Sequence, residues 1–403
     1  MVVGQTGIPR NAKQRRMILS LRLLIAAVVL LPLLLNLRLW RRDRKRIRTL
    51  RAAWRGASPA LDLTPDQVQR VSFLVPAWNA ESTLRACVEA ILRLPYPDFE
   101  VVLCAGGSDR TWQIALQFRD PRLIVLEQRP GDGKQKSLRR CLERASGEII
   151  YLLDADCLIT AAAFARILGP ILSHKEQAVT GSLHTPFPEQ LNIPFVVNQR
   201  ACLVYTLLYQ PDYRPGLQGR NCAIRRPTLE QAGAFDTDVR TGTDYDLAKR
   251  LVRQGTRIRH EVDASSSALF HTQVGAYWRQ QSRFLRNVAM HGFRFRSYRE
   301  AASSLGTSLV GFTMLAVPCG ALVLACLLGG SSNIVRMLAA VWAFGFLYAF
   351  FSRLRYLKVA TAWLGIRIPR RVYALLPVFL LIDFVAWAMP LAQYPFASLR
   401  KRW

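Results

Sequence analysis

Four apolar runs, each about the length that crosses a bilayer core of roughly 30 Å, bracket this chain and constrain it most. The first, Met17 to Trp40, reads MILSLRLLIAAVVLLPLLLNLRLW; the others are Thr307 to Leu328, Ile334 to Phe351 and Ala374 to Phe396. Of the 403 residues, 55 are Lys or Arg and 27 Asp or Glu, a formal net charge of +28. Such an excess points to nucleic acid, an anionic membrane surface or a phosphorylated ligand. A soluble nucleic-acid binder has no use for the apolar runs, so nucleic acid is set aside and the charge reads as membrane-proximal.

The first run reads as a retained anchor, because no small-residue cleavage site follows it and a dense basic block does. That block holds Arg38, Arg41, Arg42, Arg44, Lys45, Arg46, Arg48, Arg51 and Arg55 against the one acid Asp43. By the positive-inside rule, the chain beyond the anchor begins in the cytoplasm. The basic stretch Ser352 to Arg371 reads as a cytoplasmic loop. Pro377, Asp383 and Pro390 interrupt the last run, which reads as a span or a re-entrant hairpin. Eight cysteines, scattered without a C-x-x-C or Cys/His pattern, read as reduced and mostly buried thiols.

Between anchor and spans, strand-like and helix-like segments alternate. VSFLVP (71–76), FEVVLC (99–104), RLIVLE (122–127) and EIIYLL (148–153) read as buried strands. Leu84, Cys87, Val88, Ile91 and Leu94 fall at helical spacing, with Asn79 where an N-cap belongs; Leu138, Cys141, Leu142 and Ala145 mark a second helix. Such repeats predict an α/β, Rossmann-like domain on a parallel sheet, with ligands outside the carboxyl ends of its strands. Those ends read PAWNAE (76–81), AGGSDR (105–110) and DADC (154–157). No G-x-G-x-x-G follows the first strand, which removes the dinucleotide version of the fold.

Asp154 and Asp156 form a D-x-D at a strand end. One carboxylate can serve a sugar hydroxyl and the other a divalent cation, Mg²⁺ or Mn²⁺, that bridges two phosphates. The competing reading is an N-cap for a helix starting near Ala161. Lys134, in GDGKQKS, reads either as a phosphate contact or as a solvated lysine at a helix end. Thr243 and Asp246 have capping-box spacing, with Asp244 in the first helical turn. Tyr277 to Arg286 mixes aromatic and basic residues as an interfacial helix does. His184, His260, His271 and His291 share no spacing and read as ordinary.

In order, VPAWNAE, AGGSDRT, GDGKQKS, LLDADC, QGRNCAIRR, GTDYDL and QQSRF resemble the motifs of family 2 glycosyltransferases. The likeness is to the membrane-bound branch with cellulose and hyaluronan synthases and ceramide glucosyltransferase. It implies a GT-A (nucleotide-diphospho-sugar transferase) fold with an N-terminal anchor and C-terminal transmembrane helices, a nucleotide-diphosphate sugar donor and inverting, metal-dependent transfer. Carried over residue by residue, Ala77, Trp78 and Asp109 would lie at the base. Lys134 would meet phosphate. Asp154 would touch ribose or metal, and Asp156 would bind the metal. Asp244 would be the general base, with Asp246 and Phe284 on the acceptor side, and Gln280 and Arg283 would meet the departing diphosphate. Four positions depart from the pattern: Ala105 and Gly106 replace acids, Thr243 replaces glutamate and Phe284 replaces tryptophan.

The expected organisation is an N-terminal segment 1–16, anchor 17–40, basic linker 41–70, transferase domain 71–300, membrane region 307–396 with two to three spans, and basic tail 397–403. The expected protein is multi-pass in the cell membrane with a cytoplasmic catalytic domain and a lipid acceptor, since processive synthases carry more spans. A polysaccharide synthase and a catalytically silent scaffold are the alternatives.

Overall fold

The computed structural model describes residues 10–54, 61, 64–328 and 332–393. The start of the expected N-terminal segment, part of the linker GASPALDLTPDQ, the end of the last apolar run and the basic tail lie outside these residues. Helix α1 (Arg10–Trp54) runs without a break through the expected anchor and the basic block as far as Trp54. Arginine and lysine are good helix formers, so a charge run alone does not end a helix.

The extramembrane domain alternates β1 (Val71–Trp78), α2 (Leu84–Leu92), β2 (Phe99–Gly106), α3 (Thr111–Ala115), β3 (Leu123–Glu127), α4 (Gly133–Arg144) and β4 (Ile149–Leu153). It continues with β5 (Cys157–Leu158), α5 (Ala161–Leu172), β6 (Ala178–Pro186), α6 (Pro194–Leu208), β7 (Asn221–Arg225), α7 (Arg226–Gln231), α8 (Thr243–Arg253) and β8 (Ile258–Ala268). Among the described residues these form one sheet in the order β3-β2-β1-β4-β7-β6-β8-β5. The four expected strands are mutually parallel. The sheet as a whole is mixed, however, because β7 runs antiparallel to both β4 and β6.

Alternating side chains send Phe73, Val75, Val101, Leu103 and Tyr151 into a core under α2 and α5. Leu74, Val102, Cys104, Ile150 and Leu152 enter a second core under α4, α7 and α8. Burial on both faces explains why these strands read as continuous apolar runs. Five of the eight cysteines are buried and all are free thiols.

Helix α9 (Val274–Arg294) leads into α10 (Tyr298–Leu328), α11 (Asn333–Leu364), α12 (Arg370–Ala374) and α13 (Leu376–Gln393). Among the described residues α10, α11 and α13 are long and apolar enough to cross a membrane, with mean hydropathies of 2.2, 1.9 and 1.7. The chain is a multi-pass membrane protein with a large extramembrane domain. The expected loop from Ser352 is instead mostly the last turns of α11. Its Arg353 and Arg355 are buried because each has a carboxylate within 2.5 Å, Asp383 and Asp43 respectively.

Candidate active site

The antiparallel turn of the sheet builds the site. Leu153 ends β4 opposite Asn221, which begins β7, so Asp154 and Asp156 meet the residues just before Asn221. Asn221 is buried and fixed on three sides. It accepts from the Tyr151 hydroxyl at 2.7 Å and donates to the carbonyls of Ser182 and Ala264 at 3.0 and 2.8 Å. Arg220 therefore projects from a rigid base, and its Nη1 lies 2.8 Å from Asp156 Oδ2. Lys134, from the first turn of α4, places Nζ 2.6 and 2.8 Å from the two oxygens of Asp154.

Neither aspartate caps the next helix. Helix α5 starts at Ala161 behind Thr160, whose side chain accepts from the Ala163 amide. Asp244 joins the group through Gly219, where an added Cβ would come within 2.8 Å of Asp244 Cβ. The amide of Tyr245 donates to Asp244 Oδ1 at 2.9 Å, and no ion pair engages Asp244 among the described residues.

The charges act on one another. Burial would lower the pKa of Lys134, yet the negative charges of Asp154 and Asp244 hold it above its ordinary value. Burial pushes the Asp154 carboxyl up, aided by Asp156 and opposed by Lys134 and Arg220. Burial, then Arg220 and Arg283, depress His271, while Asp156 acts the other way. His271 thus feels both the D-x-D and the QQSRF segment.

Among the described residues no group of three or more His, Cys, Asp or Glu could hold a metal ion. Two hard carboxylates remain, and that donor set fits a Mg²⁺-like cation bound by one or two carboxylates and completed by ligand phosphates and water.

Ala77 is buried and Trp78 is 42% exposed at the end of β1, where Trp78 pairs with Gly106 of β2. An acid in place of Gly106 would have no room: a Cβ there would lie 2.1 Å from the Gln128 carbonyl oxygen. Gly107, at φ +139°, would place one 2.1 Å from Asn79 Oδ1. Asn79 does not cap α2, which begins at Leu84 behind Thr83. Its own φ is 52°, and its Oδ1 accepts from the Ser108 amide at 2.7 Å. Asp109 accepts from the amides of Glu81 and Thr111 at 3.1 and 3.0 Å. It lines a cavity of about 610 Å³ with Asn79, Glu81, Arg85 and Arg110, a lining that includes none of Lys134, Asp154, Asp156 and Asp244.

Asp246 is not brought to an acceptor side. It is wholly buried, with Arg250 Nε at 2.8 Å and Arg294 Nη1 at 3.0 Å on its two oxygens. Nor is there a capping box on α8. Gly242, at φ 65°, occupies the N-cap, and a Cβ there would come within 2.7 Å of His291 Nε2. On α9, Gln280 is half-buried and Arg283 exposed, and Phe284 is 61% exposed. Arg220 lies in QGRNCAIRR, one of the seven motifs of the resemblance, but sequence reasoning gave it no role of its own.

Residues 72–233 match the family model described as Glycosyl transferase family 2. The probable glycosyltransferase YdaM of Bacillus subtilis (strain 168) is 26% identical over 238 residues, 55% of each chain. The poly-β-1,6-N-acetyl-D-glucosamine synthase of Staphylococcus epidermidis is 26% identical over 231 residues, 54% of each. The chain thus spans about half the length of the curated relatives it matches. Among solved structures, the mannosyltransferase PcManGT from Pyrobaculum calidifontis, in complex with GDP-Man and Mn²⁺, is 21% identical with a TM-score of 0.46, covering 81% of this chain and 95% of that one.

Proposed function

We propose, for a chain whose matched domain is that of a family 2-like glycosyltransferase related to bacterial enzymes of that family, that residues 71–300 transfer a sugar from a nucleotide-diphosphate donor to a lipid acceptor at the cytoplasmic membrane face. The observation that carries this reading is Asp244, a carboxylate without an ion pair among the described residues, packed on Gly219 beside the paired D-x-D. In a single inverting displacement, an acceptor hydroxyl attacks the anomeric carbon while the bond to the diphosphate breaks and its electron pair leaves with the phosphate. Asp244 takes the hydroxyl proton; such a base contributes about 10²–10⁴-fold.

Lys134 and the exposed Arg283 bring positive charge to the departing diphosphate, and Arg283's planar fork matches phosphate oxygens. Gln280 lies one turn before Arg283 on the same helix. Asp154 serves the ribose or the cation, and Ala77 and Trp78 flank the base, with Asp109 outside the aspartate group. A divalent cation, Mg²⁺ or Mn²⁺, would be held by Asp156 and Asp154 and would neutralise charge on the diphosphate.

Support for a lipid acceptor comes from α9. Its Trp278 Nε1 donates to the Ile382 carbonyl of α13 at 2.8 Å, while Phe284 and Phe293 are exposed. A headgroup can reach Asp244 there while the tails stay in the bilayer. The name of the Staphylococcus relative makes a polymer product the second reading.

Purified protein, mixed lipids and labelled nucleotide sugars test both. Label should extract into organic solvent with one or a few sugars attached; a high-molecular-weight, lipid-free product would replace the lipid reading with the polymer one. No turnover of any donor would leave the silent scaffold. Asp156→Asn should abolish metal-dependent donor binding. Asp244→Asn should leave donor binding near normal and collapse transfer. Equal loss of donor affinity in both would refute this division of labour.

A further inference from the structure

Arg220 has no part in the mechanism above, yet it holds the carboxylate assigned to the metal. Its backbone is fixed by the buried Asn221, so only its side chain is free to move. That side chain is 29% exposed and its partner Asp156 37% exposed, enough for water to reach the pair and for it to open. The buried Asp246, with no side-chain exposure, has no such freedom.

Lys134 pairs with Asp154 and Arg220 with Asp156, Asp244 acts on Lys134, Arg220 and Arg214, and Arg283 is assigned to the diphosphate, so the three carboxylates are already matched by cations. A free dication arriving alone must compete with Arg220 for Asp156 and would leave the site strongly positive. A nucleoside diphosphate arriving with it offsets that charge. It also offers Arg220 phosphate oxygens, which a guanidinium binds as well as it binds a carboxylate.

We infer that Arg220 is the counter-ion of the donor-free site: it keeps Asp156 from a free divalent cation and releases it when a diphosphate enters with the cation. The two ligands are then positively coupled, and reciprocity requires each to tighten the other. This inference rests on the transferase reading.

The test is Mn²⁺ binding to the full chain in detergent, read from the electron paramagnetic resonance of the free ion. Titrations are run alone and with inorganic pyrophosphate, UDP or GDP. Wild type should bind Mn²⁺ weakly alone and at least tenfold more tightly with a diphosphate. Arg220→Gln should gain at least tenfold in Mn²⁺ affinity without diphosphate and lose most of the coupling; Arg220→Ala, with a thermal melt as fold control, should do the same. Equal diphosphate-free affinity in wild type and Arg220→Gln would overturn the inference even if diphosphate binds normally. If neither UDP nor GDP binds wild type, the transferase reading fails and the release step with it, even where the Mn²⁺ comparison still favours Arg220→Gln.

Discussion

Asp383 reads in the sequence as a flaw in an apolar span, and its surroundings make it a joint between the membrane helices and the site. Arg353 Nη2 of α11 lies 2.5 Å from Asp383 Oδ2, and the Tyr277 hydroxyl of α9 donates to Oδ1 at 2.6 Å. Both charged side chains are almost wholly buried, at 6% and 2% exposure. Asp383→Leu strands a buried guanidinium and Arg353→Met a buried carboxylate, each at a cost of about 3–5 kcal/mol. In Asp383→Leu, Arg353 keeps a bond to Asn198 at 3.2 Å and one to Cys202, which places that loss near the lower end of the range. Replacing both partners by apolar residues, Arg353→Met with Asp383→Leu, removes the stranded charge. It leaves mainly the Tyr277 hydroxyl without an acceptor, a cost of about 1–3 kcal/mol. Unfolding in mixed micelles, as a double-mutant cycle, should therefore give a coupling of about 2 kcal/mol or more. Additive single losses, with a coupling under about 0.5 kcal/mol, would refute the joint. Since Tyr277 lies one turn before Gln280 and nearly two before Arg283 on the same helix, Asp383→Leu should also lower turnover at saturating donor.

Two other outcomes concern the extramembrane domain. Burial holds His184 and His260 at about 3, far below the unfolded value of about 6.5; the unfolded chain takes up their protons first, so the stability they lend is complete above pH ~6.5 and lost as pH falls toward 3. Each should add a slope of up to about 1.4 kcal/mol per pH unit, and His184→Gln should remove one share in denaturation series between pH 7.5 and 6. Asp263, pushed up to about 6 by burial, acts oppositely below that pH, which sets the lower end of the window. Gly106→Ala forces a Cβ onto the Gln128 carbonyl and should cost about 1–3 kcal/mol by overpacking; an unchanged melting temperature would show that β3 gives way freely.

The legible part of the fold was the part buried on both faces. β1 to β4 announced themselves as apolar runs, although β1 and β2 each continue two residues further, through Ala77–Trp78 and Ala105–Gly106. The second half of the sheet was silent because several of its buried positions are polar and break up the apolar runs. Thr180, Ser182, Asn221 and Ser266 are all at 0% exposure, and hydropathy does not register the hydrogen bonds that let polar side chains go inside. β8 also pairs with β6 through register shifts, which blurs any period. The caps misled for a local reason. Asn79 and Gly242 adopt left-handed backbone, so the chain turns where a side-chain cap was expected, and Asp246 was free to go inward to Arg250 and Arg294.

The two halves of the site depend on different partners. The D-x-D end is set by the sheet: the antiparallel return of β7 delivers Gly219 to Asp244 and Arg220 to Asp156, and no purely parallel arrangement brings the start of a strand to the end of its neighbour. The QQSRF end is set by the membrane helices, for Tyr277, Trp278, Ser282 and Arg286 of α9 all bond to α13, through Asp383, the Ile382 carbonyl and Gln393. Gln280, Arg283 and Phe284 are the less buried residues between these anchors. The D-x-D and the QQSRF arginine thus rest on different supports, the second on the seating of α13, and His271, depressed by burial, then Arg220 and Arg283, and raised by Asp156, lies within electrostatic range of both.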